Sequence, residues 1–230
     1  MKYRNLFFDL DDTIWAFSRN ARDTFEEVYC KHMFDRYFDS FEHYYTLYKT
    51  RNAELWLEYG EGKITKEELN RQRFFYPLQS VGVNDEDLAE RYSKDFFDII
   101  PTKSGLMPHA KEVLEYLAPK YNLYILSNGF RELQSRKMCS AGVGTYFKKV
   151  ILSEDLGVMK PWPEIFNFAL SATQSELRDS LMIGDSWEAD ITGAHGIGMH
   201  QAFYNVTDRT SFPFQPTYHI HSLKELVDLL

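Results

Sequence analysis

The chain opens with a short apolar run that ends in acidic residues. Leu6, Phe7 and Phe8 are followed by Asp9, and Asp11 lies two positions further along. A continuous apolar segment bounded by polar residues is typical of a strand that is buried on both faces of a parallel sheet. Reactive groups in such sheets gather just beyond the carboxyl ends of the strands, where the strand order reverses. We therefore expect both carboxylates to lie at that edge of a sheet.

A helical pattern replaces the strand-like one between this first strand and residue 101. Four helix signals occur there: Ala21, Phe25, Val28 and His32 on one helical face, a helical run over residues 41–59, the capping pattern Thr65-Lys66-Glu67-Glu68, and the candidate N-cap Asn84. Four helices inserted after a single strand predict a separate helical domain. We place this domain at residues 15–101 and form the core domain from residues 1–14 and 102–230.

From Pro108 onward, helices and strands alternate. Strands are predicted at residues 123–126, 150–152 and 181–183, edge strands at 199–203 and 218–220, and helices at 108–118, 130–141, 164–170, 188–195 and 223–230. This alternation predicts an α/β fold in which a doubly wound parallel sheet has helices on both faces.

Composition and charge restrict the partners of this chain. Its 230 residues carry 34 acidic and 26 basic side chains, a net charge of −8, which argues against a nucleic acid polymer or an anionic membrane as the main partner. A small phosphorylated ligand stays compatible with this charge, because one pocket can be positive in an acidic protein. The two cysteines support neither a disulfide framework nor a zinc site. The first apolar run is too short for a signal peptide and no stretch reaches transmembrane length, so we expect a cytoplasmic location.

Polar residues of complementary chemistry follow three of the predicted strands. They are Asp9 and Asp11 after the first, Ser127, Asn128 and Gly129 after the second, and Asp185 with Asp190 after a later one, joined by Lys160 in a loop. Close carboxylates raise the pKa of one another unless a cation compensates their charge. Mg²⁺ takes oxygen ligands and leaves room for a substrate phosphate, and Lys160 adds a fixed positive charge. The sequence therefore predicts a phosphoryl site beside a divalent metal, with one carboxylate available as nucleophile.

The order and spacing of these segments resemble the four motifs of the haloacid dehalogenase (HAD) superfamily, in which phosphatases predominate. Motif one is Asp9-Leu10-Asp11-Asp12-Thr13, motif two is Ser127, motif three is Lys160, and motif four is Gly184-Asp185-Ser186 with Asp190. The resemblance covers the whole chain. It implies a Rossmann-like catalytic core with an inserted helical cap of type one.

The same resemblance implies roles for the acidic residues. Asp9 would attack phosphorus and become an aspartyl-phosphate, and Asp11 would protonate the leaving oxygen and later deprotonate the hydrolytic water. Mg²⁺ would be held by Asp9, the backbone carbonyl of Asp11, and Asp185. Asp190 would orient metal-bound water or Lys160.

Binding of the phosphoryl group falls to motifs two and three. The resemblance implies that Ser127, the loop at Asn128 and Gly129, and Lys160 hold the phosphoryl oxygens. Dehalogenases of this superfamily lack a carboxylate two positions after the nucleophile. Because Asp11 occupies that position here, phosphoryl transfer is favoured over cleavage of a carbon–halogen bond.

A narrower resemblance is to bacterial 5′-nucleotidases that act on pyrimidine nucleoside monophosphates. The stretches that carry it are Leu55-Trp56-Leu57-Glu58-Tyr59, Gly62-Lys63-Ile64-Thr65, Asn128-Gly129-Phe130 with Leu133-Gln134, Tyr146-Phe147, Ser153-Glu154-Asp155, and Gly157-Val158-Met159-Lys160-Pro161. This resemblance implies a nucleoside monophosphate as substrate.

The aromatic residues of the cap leave two interpretations open. A nucleobase could stack on Trp56 or Tyr59, since stacking tolerates different bases. Alternatively both rings belong to the core of the cap, which we expect for most of its aromatic residues: Tyr44, Tyr45, Tyr48, Phe74, Phe75 and Tyr76.

Other functions also fit the sequence. One is a HAD phosphatase that acts on a sugar phosphate or on phosphoglycolate. A haloacid dehalogenase and a non-catalytic binding module are the others. Asp11 argues against the dehalogenase, and the complete set of motif residues argues against the binding module.

Overall fold

Six parallel strands form the sheet at the centre of the structure. The structure is a computed structural model and describes residues 2–230. Its strands are β1 (Asn5–Phe8), β2 (Asn122–Ser127), β3 (Lys149–Leu152), β4 (Ser180–Gly184), β5 (His200–Tyr204) and β6 (Tyr218–Ile220). They lie in the order β3-β2-β1-β4-β5-β6, so the direction in which the chain adds strands reverses between β1 and β4. This reversal is the place where α/β sheets present their reactive groups.

Both faces of this sheet are covered. Phe7 packs with Tyr124 and Met182 in one hydrophobic cluster. Its neighbours Leu6 and Phe8 point to the opposite face and are also fully buried. Burial on both faces explains the continuous apolar run of β1, and it confirms the predicted doubly wound α/β fold.

The helices follow one another along the chain as α1 (Phe17–Lys31), α2 (Phe41–Gly60), α3 (Lys66–Ser80), α4 (Glu86–Ile99), α5 (Ala110–Leu117), α6 (Arg131–Ser140), α7 (Pro163–Thr173), α8 (Thr192–Gly196) and α9 (Leu226–Leu229). A single turn of π-helix, Trp187–Ile191, comes directly before α8. Within residues 2–230, none of the helices combines the length and the apolar character needed to span a bilayer.

The described chain divides into two compact units. The core unit consists of residues 2–18 and 103–230 and contains the sheet, whereas the helical unit consists of residues 19–102 and contains α2, α3, α4 and most of α1. The domain boundaries expected from the sequence, after residues 14 and 101, lie close to these divisions.

Aromatic side chains fill the interior of the helical unit. The ring centroid of Phe25 lies 4.2 Å from that of Tyr48 and 4.3 Å from that of Phe96, which joins α1, α2 and α4. Among the aromatic residues expected in this core, Tyr44, Tyr48, Phe74 and Phe75 are buried, Tyr45 is half-buried and Tyr76 is exposed. Such ring pairs stabilise a core beyond their buried area.

Three sequence predictions about single elements were wrong. β5 is not an edge strand, because it pairs with β4 on one side and β6 on the other. The helix expected over residues 188–195 is split into the π-helical turn and α8, since the carbonyl of Ser186 accepts from N–H groups four and five residues later. The N-cap of α4 is Asp85, whose side chain accepts from Leu88 N at 2.8 Å, and not Asn84.

Candidate active site

The strand ends of the core unit bring four sequence segments together. Asp9 directly follows β1, Ser127 ends β2, and Asp185 directly follows β4. Lys160 reaches the same edge from the loop between β3 and α7, where its ammonium lies 2.7 Å from Asp9 Oδ1. The carboxyl edge of the sheet therefore carries a cluster of charged residues, as the order of the motifs indicates.

Lys160 is the buried cation of this cluster. Its Nζ donates to Asp9 Oδ1 at 2.7 Å, to Asp190 Oδ1 at 2.6 Å and to the carbonyl oxygen of Leu126 at 2.8 Å. These contacts use all three hydrogens of the ammonium. Burial alone would lower the pKa of Lys160, but the charges of Asp190 and Asp9 outweigh it and raise the pKa. Lys160 therefore contributes positive charge to the site and has no hydrogen left to donate.

Asp190 is in direct contact with Lys160 and is completely buried. Its Oδ2 accepts from Ser186 N at 3.0 Å, so both of its oxygens are engaged inside the protein. Gly184 permits this arrangement, because a Cβ at that position would overlap the Asp190 carboxylate. The geometry makes Asp190 a residue that orients Lys160.

Asn128 and Gly129 shape the loop that follows β2. The side chain of Asn128 donates from Nδ2 to Lys160 O at 3.0 Å and accepts from Lys160 N at 2.8 Å. A Cβ at position 129 would overlap the side-chain amide of Gln134. Asn128 thus fixes the backbone of Lys160, and Gly129 makes room for Gln134.

The acidic groups of this cluster form a site that fits a divalent cation. One carboxylate oxygen from each of Asp9, Asp185 and Asp190 lies within 4.8 Å of the others. Thr13 Oγ1 donates to Asp185 Oδ1 at 2.8 Å and fixes that side chain. Among residues 2–230, none donates a hydrogen bond to Oδ2 of Asp9 or to Oδ2 of Asp185. Three carboxylates beside one lysine leave net negative charge, and Asp9 and Asp185 each keep a free oxygen, the kind of ligand that Mg²⁺ prefers.

The pKa values express the same shortage of positive charge. The pKa of Asp9 is raised to about 7, chiefly by burial and to a smaller extent by the charges of Asp190 and Asp11, although the charge of Lys160 lowers it. The pKa of Asp185 is raised to about 8 by burial together with the charges of Asp9 and Asp190. A bound cation would relieve both effects.

Asp11 lies outside the acidic cluster and is held by α6. Its Oδ1 accepts from Lys137 Nζ at 2.8 Å, and its Oδ2 accepts from Gln134 Nε2 at 2.9 Å. The Lys137 ammonium also lies 4.7 Å from the ring centroid of Trp15. Asp11 is therefore anchored at both oxygens.

The sequence interpretation gave no role in the site to Gln134 or Thr13, and it did not name Lys137. Gln134 and Lys137 are both buried although they are polar. They lie three positions apart on α6 and share its inner face with Met138. Polar residues on the buried face of a helix are the signal by which they could have been found.

Trp56 and Tyr59 belong to the helical unit. Both are half-buried on α2, and their rings form an edge-to-face pair with centroids 5.8 Å apart. They differ in this from the fully buried aromatic core around Phe25 and Tyr44. Their role in substrate binding stays a prediction.

We expect Mg²⁺ to stabilise the protein more at high pH than at low pH. The folded-state pKa values of Asp9 and Asp185, about 7 and about 8, lie above the ordinary value of 3.8. The folded protein therefore binds more protons than the unfolded chain between about pH 4 and pH 8, and the metal-free protein loses stability as the pH rises through this window. Mg²⁺ binds the ionised carboxylates, so its stabilising effect should grow over the same window.

Thermal melting with and without MgCl₂ at about pH 5.5 and about pH 8.5 measures this difference. The gain in melting temperature should be larger at the higher pH, and it should shrink in an Asp185→Asn variant. An equal gain at both pH values would contradict the prediction.

Comparisons with known proteins place these features in a family. Residues 3–198 match the family model described as haloacid dehalogenase-like hydrolase. The protein called HAD-hydrolase YfnB of Bacillus subtilis is 32% identical over 100% of this chain and 96% of its own. The pyrimidine 5′-nucleotidases YjjG of Escherichia coli and PynA of Streptococcus pneumoniae are 30% and 31% identical over 100% of this chain, and 99% and 96% of theirs.

Solved structures agree with this placement. The magnesium-bound crystal structure of B. subtilis YfnB superposes with a TM-score of 0.88 at 29% identity, covering 100% of this chain and 99% of that one. A 2-haloacid dehalogenase from Pseudomonas syringae superposes with a TM-score of 0.69 at 24% identity, covering 99% and 97%. The likeness to the dehalogenase shows a shared fold only.

Proposed function

The chain belongs to the haloacid dehalogenase-like hydrolase family, and on that premise we propose that it is a Mg²⁺-dependent 5′-nucleotidase acting on pyrimidine nucleoside monophosphates. The observation that carries this proposal is the pairing of Asp9, which has a free Oδ2 beside the buried ammonium of Lys160, with the anchored carboxylate of Asp11. We assign the core unit to catalysis and the helical unit to the cap.

The reaction begins at Asp9. Its Oδ2 attacks phosphorus, the bond from phosphorus to the leaving oxygen breaks, and Asp11 gives its proton to that oxygen, which departs as an alcohol. Water then attacks the phosphorus of the aspartyl-phosphate and gives a proton to Asp11. The bond between phosphorus and Asp9 breaks, and inorganic phosphate leaves.

The surrounding residues bind and orient the reacting groups. Lys160 balances the charge of Asp9 and of the phosphoryl group, and Ser127 donates to a phosphoryl oxygen. Asp9, Asp185 and the backbone carbonyl of Asp11 would hold Mg²⁺, which when bound supplies positive charge to the phosphoryl oxygens. Asp190 and Asn128 fix Lys160 from its two ends.

The substrate class is supported by two relatives. YjjG and PynA are both named pyrimidine 5′-nucleotidases and are similar to this chain along its whole length. Asp11 also distinguishes the site from that of a dehalogenase, because breaking a phosphate ester requires a proton for the leaving alcohol.

A panel of phosphate esters tests the proposal. The panel contains uridine, cytidine, thymidine and adenosine 5′-monophosphates, a hexose phosphate, phosphoglycolate and p-nitrophenyl phosphate, with phosphate release measured in MgCl₂ and in EDTA. We expect pyrimidine nucleotides to give the highest kcat/KM and EDTA to abolish turnover. A preference for phosphoglycolate or the hexose phosphate would replace the nucleotidase assignment by another phosphatase activity.

A second experiment addresses the nucleobase. If a base stacks on Trp56, the Trp56→Ala variant should lose roughly tenfold in kcat/KM for nucleotides, because one stacked base contributes about 1–3 kcal/mol. Turnover of p-nitrophenyl phosphate should stay the same. Leu57→Ala is the matched control, since Leu57 is the exposed neighbour on α2. An unchanged nucleotide preference in Trp56→Ala would exclude stacking on that ring.

A further inference from the structure

Gln134 is a fully buried polar side chain that joins two residues of the candidate site. Its Nε2 donates to Ser127 Oγ at 2.8 Å and to Asp11 Oδ2 at 2.9 Å. These two bonds use both hydrogens of the amide nitrogen. Within residues 2–230 its Oε1 has no hydrogen-bond partner. Burying an unpaired carbonyl costs free energy, so a hydrogen bond to Oε1 cannot be the reason why glutamine occupies position 134.

The orientation of this amide follows from its contacts with Asp11 and Ser127. With nitrogen and oxygen exchanged, Oε1 of Gln134 would face the Asp11 carboxylate, and two acceptors would be in contact. Lys137 Nζ lies 2.8 Å from the other oxygen of Asp11 and holds the carboxyl group in place. The amide therefore presents its hydrogens to Asp11 and, from the same nitrogen, to Ser127.

The orientation of the Gln134 amide determines whether Ser127 Oγ accepts or donates hydrogen bonds. Ser127 Oγ accepts from Gln134 Nε2 at 2.8 Å and from Gly129 N at 3.2 Å. A hydroxyl has two acceptor lone pairs and one hydrogen, so both lone pairs are occupied and only the hydrogen is left. No residue of the described chain accepts that hydrogen. Ser127 is thereby set to donate to a ligand.

We propose that Gln134 is a positioning residue that fixes Ser127 as a hydrogen-bond donor, so that this position binds an acceptor oxygen of a phosphoryl group. The inference rests on the proposed function and deepens it, because Gln134 itself need not touch the substrate. Gly129 is part of this arrangement, since any side chain at position 129 would displace the amide of Gln134.

Two substitutions separate hydrogen-bond polarity from packing. Gln134→Met keeps a long unbranched side chain but donates no hydrogen bond. Gln134→Glu keeps the shape, but its carboxyl group offers at most one hydrogen in either protonation state, where glutamine offers two. If only packing mattered, the glutamate variant would be the milder one. If donation to Ser127 matters, Gln134→Glu should weaken phosphate binding more than Gln134→Met does.

Inhibition of p-nitrophenyl phosphate turnover by inorganic phosphate gives the readout. We expect the inhibition constant of phosphate to rise about fivefold in Gln134→Met and more than tenfold in Gln134→Glu, because a hydrogen bond to a charged group is involved. In a Ser127→Ala background, Gln134→Met should have no further effect on this constant. That cycle uses methionine because it adds no charge.

An inhibition constant unchanged in both Gln134 variants would overturn the inference, as would an effect of Gln134→Met that persists in Ser127→Ala. If Gln134→Glu does not fold, as judged by thermal melting, the Gln134→Met cycle alone decides. Failure of the proposed function is distinguishable, because the wild-type protein would then prefer phosphoglycolate or the hexose phosphate over nucleotides, while the Gln134 variants would still weaken inhibition by phosphate.

Discussion

Replacing Asp9 with asparagine should reduce the turnover of every phosphate monoester by more than about 10⁴-fold. The carboxamide has no anionic oxygen to attack phosphorus, and no other carboxylate combines a free oxygen with contact to Lys160 in the described chain. Asp190 contacts Lys160, but both of its oxygens accept hydrogen bonds and its side chain is fully buried.

The same substitution should leave the fold intact. Burial raises the pKa of Asp9, which means that its ionised form costs stability in the metal-free protein. Asparagine removes that charge, while Lys160 keeps its bonds to Asp190 and to the carbonyl of Leu126. The melting temperature of metal-free Asp9→Asn at pH above about 8 should therefore equal or exceed that of the wild type.

Phosphate release and thermal melting, measured on the same preparations, check both expectations. Asp208→Asn is the matched control, because Asp208 is an exposed residue whose left-handed backbone, with φ of 53°, suits asparagine. Acid quenching of the wild type during turnover should yield a peptide that carries phosphate on Asp9. Substantial turnover by Asp9→Asn would mean that another residue is the nucleophile.

The residues at the strand ends were predictable because the apolar run of each buried strand shows where that strand ends. The apolar run Leu6-Phe7-Phe8 can be buried only between two layers of helices, which places Asp9 at the carboxyl edge of the sheet. The same argument places Ser127 and Asp185. Local pattern was sufficient because each of these residues is positioned by its own strand.

The partners of Asp11 depend on contacts that are distant in sequence. Lys137 lies 126 positions after Asp11, and Gln134 lies 123 positions after it. No local pattern relates such residues, and only the tertiary fold brings α6 against the loop that follows β1. The place of β5 within the sheet is similar, since an interior strand and an edge strand differ in their neighbours more than in their own sequence.

Replacing Lys160 with methionine should damage both stability and activity. The substitution leaves Asp9, Asp185 and Asp190 without their buried cation, and removing one partner of a buried ion pair costs about 3–5 kcal/mol. For a chain of this length, about 2–4 °C of melting temperature corresponds to each kcal/mol, so a decrease of about 10 °C is expected at neutral pH. Turnover should fall by about 10³-fold, because the charge that balances the phosphoryl group is lost.

The pH dependence of the stability that Lys160→Met loses tests whether the loss is electrostatic. The charge of Lys160 lowers the pKa of Asp9, so its removal raises that pKa further above 3.8. A carboxyl group with a raised folded-state pKa destabilises the folded protein when it is ionised. This destabilisation grows as the pH rises and disappears when the group is protonated. The difference in melting temperature between wild type and Lys160→Met should therefore shrink as the pH falls from about 8 to about 5.

Lys111→Met is the matched control for this variant, since Lys111 is an exposed lysine on α5. A constant difference in melting temperature across that pH range would mean that Lys160 contributes by packing rather than by charge. Lys160→Arg separates charge from geometry, because guanidinium is planar and cannot direct three hydrogens as an ammonium does. If arginine restored stability but not turnover, charge alone would hold the carboxylates together, and catalysis would need the ammonium geometry that joins Asp9, Asp190 and the carbonyl of Leu126.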